Sequence, residues 1–121
     1  MKKILIGVSS GIAIYKTCSL VRLFVNEGCQ VKVVMTPNAT KLVSPLTFEA
    51  LTHSPVFYDS FEGRGEEALL HLKLANWPDV FIVAPATANT LGKIANGIAD
   101  NLLTTIVLAL PSLTCLLYTS D

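Results

Sequence analysis

A chain of 121 residues with nine basic and nine acidic side chains, no net charge and 51% hydrophobic residues can build one domain with a real core and no second one. The balanced charge leaves no electrostatic footprint for nucleic acid or an anionic membrane surface, which points to a small-molecule ligand. Cys18, Cys29 and Cys115 are odd in number and form no C-x-x-C, so they read as reduced, mostly buried thiols. Neither they nor His53 and His71 have the spacing of tetrahedral zinc ligands, and no metal is expected. The apolar run after Met1-Lys2-Lys3 is too short for a secretory leader, so the expected location is the cytoplasm.

In chain order, Lys3 to Val8 is a β-branched apolar run closed by Ser9-Ser10-Gly11, and Gly11 to Glu27 carries Ile14, Cys18, Val21 and Val25 at helical spacing before Gly28. Gln30 to Met35 reads as a second strand, which makes the first 35 residues a βαβ unit with parallel strands. After Thr36-Pro37-Asn38 come a short helical piece over Ala39 to Val43 and another over Pro45 to Thr52, with Ser44 as cap and Pro45 at the first position. Val56 to Tyr58 reads as a short third strand, Ser60 to Glu67 as a solvated loop, and Leu69 to Ala75 fits either regular structure. Val80 to Ala84 is the fourth strand, followed by helices over Thr87 to Asn96 and Ala99 to about Leu110, divided by Gly97.

Alternating strands and helices predict an α/β, doubly wound parallel sheet of Rossmann or flavodoxin-like type in spatial order 3-2-1-4. The crevice between strands one and four is its switch point, where ligands bind in such sheets. The uncharged stretch Asn101 to Ser120 is long enough to suggest a membrane span, but Pro111 and four threonines favour a core-packed helix with an apolar tail.

The turn Gly7-Val8-Ser9-Ser10-Gly11 lacks the G-x-G-x-x-G spacing, yet it sets hydroxyls and backbone N–H groups at a helix amino terminus, where a phosphate is stabilised. It also matches a G-x-S-x-G nucleophile elbow with Asp59 and His71 following in hydrolase order. The chain is too short for that fold, which sets the hydrolase reading aside. Thr36-Pro37-Asn38 ends strand two with no acidic residue for an adenosine ribose, favouring a mononucleotide over a nicotinamide cofactor; as an ordinary turn it would use Asn38 as a helix cap. Ala86-Thr87-Ala88-Asn89-Thr90 delivers small polar residues to the end of strand four. A lone histidine such as His71 is more often structural than catalytic, His53 reads as a loop residue, and Trp77 as a packed aromatic.

Together, Gly7 to Lys16, then His71 with Leu74-Ala75-Asn76-Trp77-Pro78-Asp79, Ala84 to Thr90, and Lys93-Ile94-Ala95-Asn96-Gly97-Ile98-Ala99-Asp100-Asn101-Leu102-Leu103 resemble the flavin-dependent cysteine decarboxylases. The likeness is greatest to the phosphopantothenoylcysteine decarboxylase branch and covers residues 1 to about 110. The resemblance implies an FMN-binding homotrimer, often assembled into dodecamers, acting in coenzyme A biosynthesis on 4'-phosphopantothenoylcysteine to give 4'-phosphopantetheine. It implies FMN contacts from Ser9, Ser10, Gly11, Ile12, Thr36, Pro37, Asn38, Thr87, Ala88, Asn89 and Thr90, with His71 as the active-site histidine. The implied chemistry is oxidation of the cysteine side chain to a thioaldehyde, loss of CO2, and reduction of the resulting enethiol by reduced flavin. A peptidyl-cysteine decarboxylase, a flavin prenyltransferase or a non-catalytic flavin-binding subunit are the alternatives.

Residues 1–110 thus read as an incomplete FMN-binding decarboxylase domain. Residues 111–121 depart from the resemblance and read as a foreign or frame-shifted end. The Pro-x-Met-Asn segment and the cysteine-bearing clamp of the resembling family are not in this sequence, and the chain alone is expected to be inactive. With no further strand, Val80 to Ala84 would be an exposed apolar edge and an aggregation liability.

Overall fold

The computed structural model describes residues 2–58, 65–111 and 114–117. The elements, in chain order, are β1 (Lys3–Val8), α1 (Ile14–Asn26), β2 (Gln30–Met35), α2 (Ala39–Leu42), α3 (Pro45–Thr52), α4 (Gly65–Asn76), β3 (Val80–Val83), α5 (Ala88–Ala95), α6 (Leu102–Ala109) and β4 (Thr114–Leu117). The four strands form one sheet in the order β2-β1-β3-β4, every neighbouring pair parallel. This is the doubly wound α/β architecture that the alternation predicts.

The two-residue side-chain period of β1 distributes the core. Ile4, Ile6 and Val8 face one layer with Ile14, Val21 and Phe48, from α1 and α3. Leu5 faces the other, with Phe81, Val83, Leu74, Leu103 and Ile106, from β3, α4 and α6. Each of these large side chains, fully buried, contributes about 1.5–3 kcal/mol of transfer free energy. Gly7 shares the face of Leu5, and a Cβ there would lie 2.9 Å from Leu103 Cδ1 and 3.0 Å from Phe81 Cε1. Its missing side chain is what lets α6 sit close on the sheet.

Local signals hold at α3, where Ser44 is the N-cap, its hydroxyl accepting from Leu46 N at 3.2 Å, and Pro45 opens the helix. His53, in the left-handed region at φ 58°, ends it. Trp77 is half-buried beneath the Lys32 ammonium, which stands 4.6 Å from the ring centroid.

Four expectations are corrected. The third strand, Val56 to Tyr58, occupies its expected place beside β2 but is reduced to a single parallel bridge of Phe57 with Val34, made by Phe57 N to Val33 O and Met35 N to Phe57 O. The sheet also does not stop at Val80–Val83: Thr114–Leu117 adds a parallel strand, Val80 opposite Thr114 and Val83 opposite Leu117. The edge of β3 is therefore covered, and the aggregation argument loses its premise. The predicted loop over Ser60 to Glu67 lies partly outside the described residues, and from Gly65 onward it is α4, which also resolves Leu69 to Ala75 as helix. Asn38 makes no side-chain cap; Thr36 Oγ1 accepts from Ala39 N at 3.2 Å instead. Among the described residues no helix is long and apolar enough to cross a membrane.

Candidate ligand cleft

Sheet register decides which turns meet. Val8 pairs with Met35 and Gly7 with Val83, so the residues that follow each strand emerge side by side at the carboxyl ends of β2, β1 and β3, where open α/β sheets bind ligands. The ladder continues past the strands through Thr36 N to Val8 O and Ala84 N to Gly7 O, each 2.9 Å.

Between these turns lies a cleft of about 390 Å³ lined by Ser10, by Thr36, Pro37 and Asn38, and by Thr87, Asn89 and Thr90. Seven of the residues proposed from the sequence are thus brought together. Gly11 and Ile12 line an adjoining hollow of about 530 Å³ with Tyr15, Lys16, Pro85 and Thr87, which is shared by both spaces. Ala88 opens α5 and lines neither.

Ser9 is different. It is fully buried, its hydroxyl donating to Pro85 O and accepting from Thr87 N at 3.2 Å. Those bonds remove it from the hydrolase reading, because a nucleophile needs an accessible oxygen beside a base. Asp59, the second member of that reading, lies outside the described residues. Thr17, buried on α1, donates from Oγ1 to Ala84 O at 2.9 Å. Thr87 in turn caps α5, its Oγ1 accepting from Thr90 N at 3.3 Å.

The far wall was not assigned from the sequence. Lys93, Asp100 and Asn101 complete the lining, although all three stand in the motif that carries the resemblance. Lys93 Nζ and Asp100 Oδ2 are 3.0 Å apart, tying the end of α5 to the start of α6 across Gly97, whose φ of 67° suits glycine. Asn101 caps α6 reciprocally: Oδ1 accepts from Thr104 N at 2.9 Å while Asn101 N donates to Thr104 Oγ1 at 3.3 Å. A cap residue reads as structural in sequence, so the signal for its place in the cleft is the α5–α6 turn around Gly97.

His71 lies on α4, half-buried, and is not among the residues lining the cleft. Cys18, on α1, has its thiol pushed up from the ordinary value by burial, with a backbone hydrogen bond and the Arg22 charge opposing. The shift disfavours the thiolate, which is the nucleophilic form.

Comparison with known proteins follows the same outline. Residues 1–117 match the family model described as Flavoprotein. The chain is 50% identical over 108 residues to the coenzyme A biosynthesis bifunctional protein CoaBC of Bacillus subtilis (strain 168), covering 89% of this chain and 27% of that protein. To CoaBC of Escherichia coli (strain K12) it is 42% identical over 111 residues, covering 92% and 27%. The chain thus spans 27% of the length of these curated relatives. Among solved structures it is similar to the FMN-dependent cysteine decarboxylase SpaF, with a TM-score of 0.79, 34% identity, and 92% of this chain and 64% of that chain covered. It is also similar to a PPC decarboxylase mutant complexed with pantothenoylaminoethenethiol, with a TM-score of 0.75, 32% identity, and 90% and 60% covered.

Proposed function

The chain belongs to the Flavoprotein family, and from that premise we propose that it is the flavin-binding, amino-terminal part of a phosphopantothenoylcysteine decarboxylase. The observation that carries the reading is the junction of three small-residue turns at the carboxyl ends of β2, β1 and β3, in a chain half identical over 108 residues to a CoaBC protein.

FMN is the proposed cofactor, and the residues present suit it. The cleft wall offers hydroxyl and amide groups from Thr36, Asn38, Asn89 and Thr90, the donors and acceptors that a ribityl chain needs, and the Ser10 hydroxyl for a phosphate. Helix α1 starts with no side chain capping its first turn; Ile14 N and Lys16 N donate to Gly11 O and Ala13 O, and the positive end of the helix dipole favours a phosphate beside them. A Cβ on Gly11 would stand 3.3 Å from Thr87 Cγ2, so only glycine keeps these two turns close without pressure. No acidic residue ends β2, which favours a mononucleotide over a dinucleotide. When bound, the flavin supplies the redox chemistry that gives the departing carboxylate an electron sink.

For this chain's own residues, Ser10, Gly11 and Ile12 are proposed to hold the phosphate end, Thr36, Pro37 and Asn38 the ribityl chain, and Thr87 to Thr90 the opposite side of the cofactor. His71 is proposed as the group that holds or delivers a proton near the substrate carboxylate, a task for which an imidazole has both a donor and an acceptor nitrogen. The self-association proposed is a homotrimer, or a dodecamer built from such trimers, in the cytoplasm. Self-association is supported by the exposed apolar side chains Tyr15 and Leu23 of α1, 71% and 54% accessible.

The test has two stages. The purified chain should carry a flavin absorbance spectrum, and the chain extended to the length of its curated relatives should release CO2 from phosphopantothenoylcysteine. In that extended protein His71→Asn should keep the flavin and lose roughly 100-fold or more in rate; undiminished decarboxylation would remove His71 from the mechanism. A colourless wild-type protein that takes up no added FMN would end the flavin reading.

A further inference from the structure

Two buried hydroxyls reach across from the first βα unit to the turn after β3. Ser9 Oγ donates to Pro85 O and accepts from Thr87 N at 3.2 Å, and Thr17 Oγ1 donates to Ala84 O at 2.9 Å. Their relative accessibilities are 0% and 1%, so neither oxygen is presented to a ligand. The carbonyls they bind belong to consecutive residues, and the N–H that Ser9 accepts belongs to the cap residue of α5. All three of these hydrogen bonds therefore end on the backbone of Ala84, Pro85 or Thr87.

We infer that Ser9 and Thr17 are positioning residues of the flavin site, which fix the 84–87 turn and through it the aim of Thr87, Asn89 and Thr90, and that neither touches the cofactor. The inference rests on the flavin reading above and departs from it at Ser9, which the resemblance would make a direct contact, and at Thr17, to which no role attaches there. The physics is that of a buried backbone group losing its partner. Without Ser9 the buried Pro85 carbonyl and the part-buried Thr87 N–H lose a shared partner, which is costly enough that the turn moves to find new ones. A turn that has moved carries the α5 cap with it. The surrounding sheet register, Gly7 opposite Val83, does not depend on either hydroxyl, so the fold can survive while the cleft wall shifts.

The test compares FMN with riboflavin, which lacks the phosphate, by quenching of flavin fluorescence on the 121-residue chain. Thr17→Val keeps the shape of the side chain and removes the hydroxyl. It should weaken FMN and riboflavin by the same factor, roughly tenfold or more, for the loss of a cleft-wall alignment, and Thr17→Ser should restore both. Ser9→Ala should also weaken both flavins equally and speed hydrogen exchange at the Thr87 amide. Ser10→Ala, at the phosphate end, should instead penalise FMN over riboflavin. A loss confined to FMN in Ser9→Ala would make Ser9 a phosphate ligand and overturn the inference. So would wild-type affinity for both flavins in a folded Thr17→Val protein. If Thr17→Val fails to fold, Ser9→Ala decides by the same FMN-to-riboflavin ratio. Should the wild-type chain bind neither flavin, the functional reading fails, and exchange at Thr87 in Ser9→Ala still reports whether Ser9 fixes the 84–87 turn.

Discussion

Gly7→Ala asks whether α6 is seated on β1 as closely as described. The added methyl carbon would meet Leu103 Cδ1 at 2.9 Å and Leu103 Cγ and Phe81 Cε1 at 3.0 Å, against about 3.5–4.0 Å for an unstrained carbon pair. Neither neighbour has free space to retreat into, since both are 0% accessible. Overpacking of this kind costs about 1–3 kcal/mol, and replacing a strand glycine by alanine returns about 0.5–1 kcal/mol of backbone entropy. With the two effects taken at corresponding ends of their ranges, the net loss is about 0.5–2 kcal/mol. For 121 residues an unfolding entropy near 2.1 cal/mol/K per residue turns that into a fall in Tm of about 2–8 °C by differential scanning calorimetry. Leu103→Ala alone should cost about 2–5 kcal/mol, but in the Gly7→Ala background it should cost less, because the truncation relieves the clash, with a coupling of about 0.5–3 kcal/mol. An unchanged or raised Tm in Gly7→Ala, or strict additivity in the double variant, would refute the close packing of α6 on the sheet.

Asn101→Ala removes the α6 cap and strips the buried Thr104 hydroxyl and amide of a shared acceptor; a loss of about 1–2 kcal/mol is expected, largely recovered by Asn101→Asp, and equal stability of the alanine variant in urea titration would contradict the capping geometry. Lys93→Gln should change stability by less than about 1 kcal/mol, because its partner Asp100 is half exposed, and the difference should shrink in high salt; a larger, salt-independent loss would mean a role in packing. Cys18 should react with a maleimide more slowly than a free thiol at pH 8, since burial raises its pKa. By the same linkage the folded state holds that proton more tightly than the unfolded one, so its stabilising share falls as pH climbs past the ordinary thiol value; labelling at the free-thiol rate would remove both expectations.

Where one residue pattern decided one element, the structure follows the sequence. The βα unit of Lys3–Val8 and Ile14–Asn26 is written in a period-two run followed by helical spacing, and Ser44-Pro45 announces α3. The carboxyl-end cleft was legible because three turns carry small polar residues, and the predicted strand order fixes which turns are neighbours. Other features depend on partners that lie far away in sequence. Val56 to Tyr58 has strand composition, yet only Phe57 finds a ladder partner. Thr114–Leu117 follows a proline, and its strand character comes from the open edge of β3. Thr17 looks like one polar position on an amphipathic helix, and its function depends on the Ala84 carbonyl 67 positions away. Lys93 and Asp100 are seven positions apart across a glycine turn, a separation no helical rule pairs.

The Ser9–Pro85 bond spans 76 positions, so almost two thirds of the chain must be threaded into place before it can form. Such distant contacts come late and slowly, after the chain entropy of closing a large loop has been spent. The cleft therefore has no counterpart in a partly folded chain, and a ligand held there recognises only the finished sheet. Any such ligand acts as a thermodynamic brake on unfolding, adding about 2.7 kcal/mol at one hundred times its Kd. The cell's supply of that ligand then governs how long the folded chain endures, with no change in the chain itself.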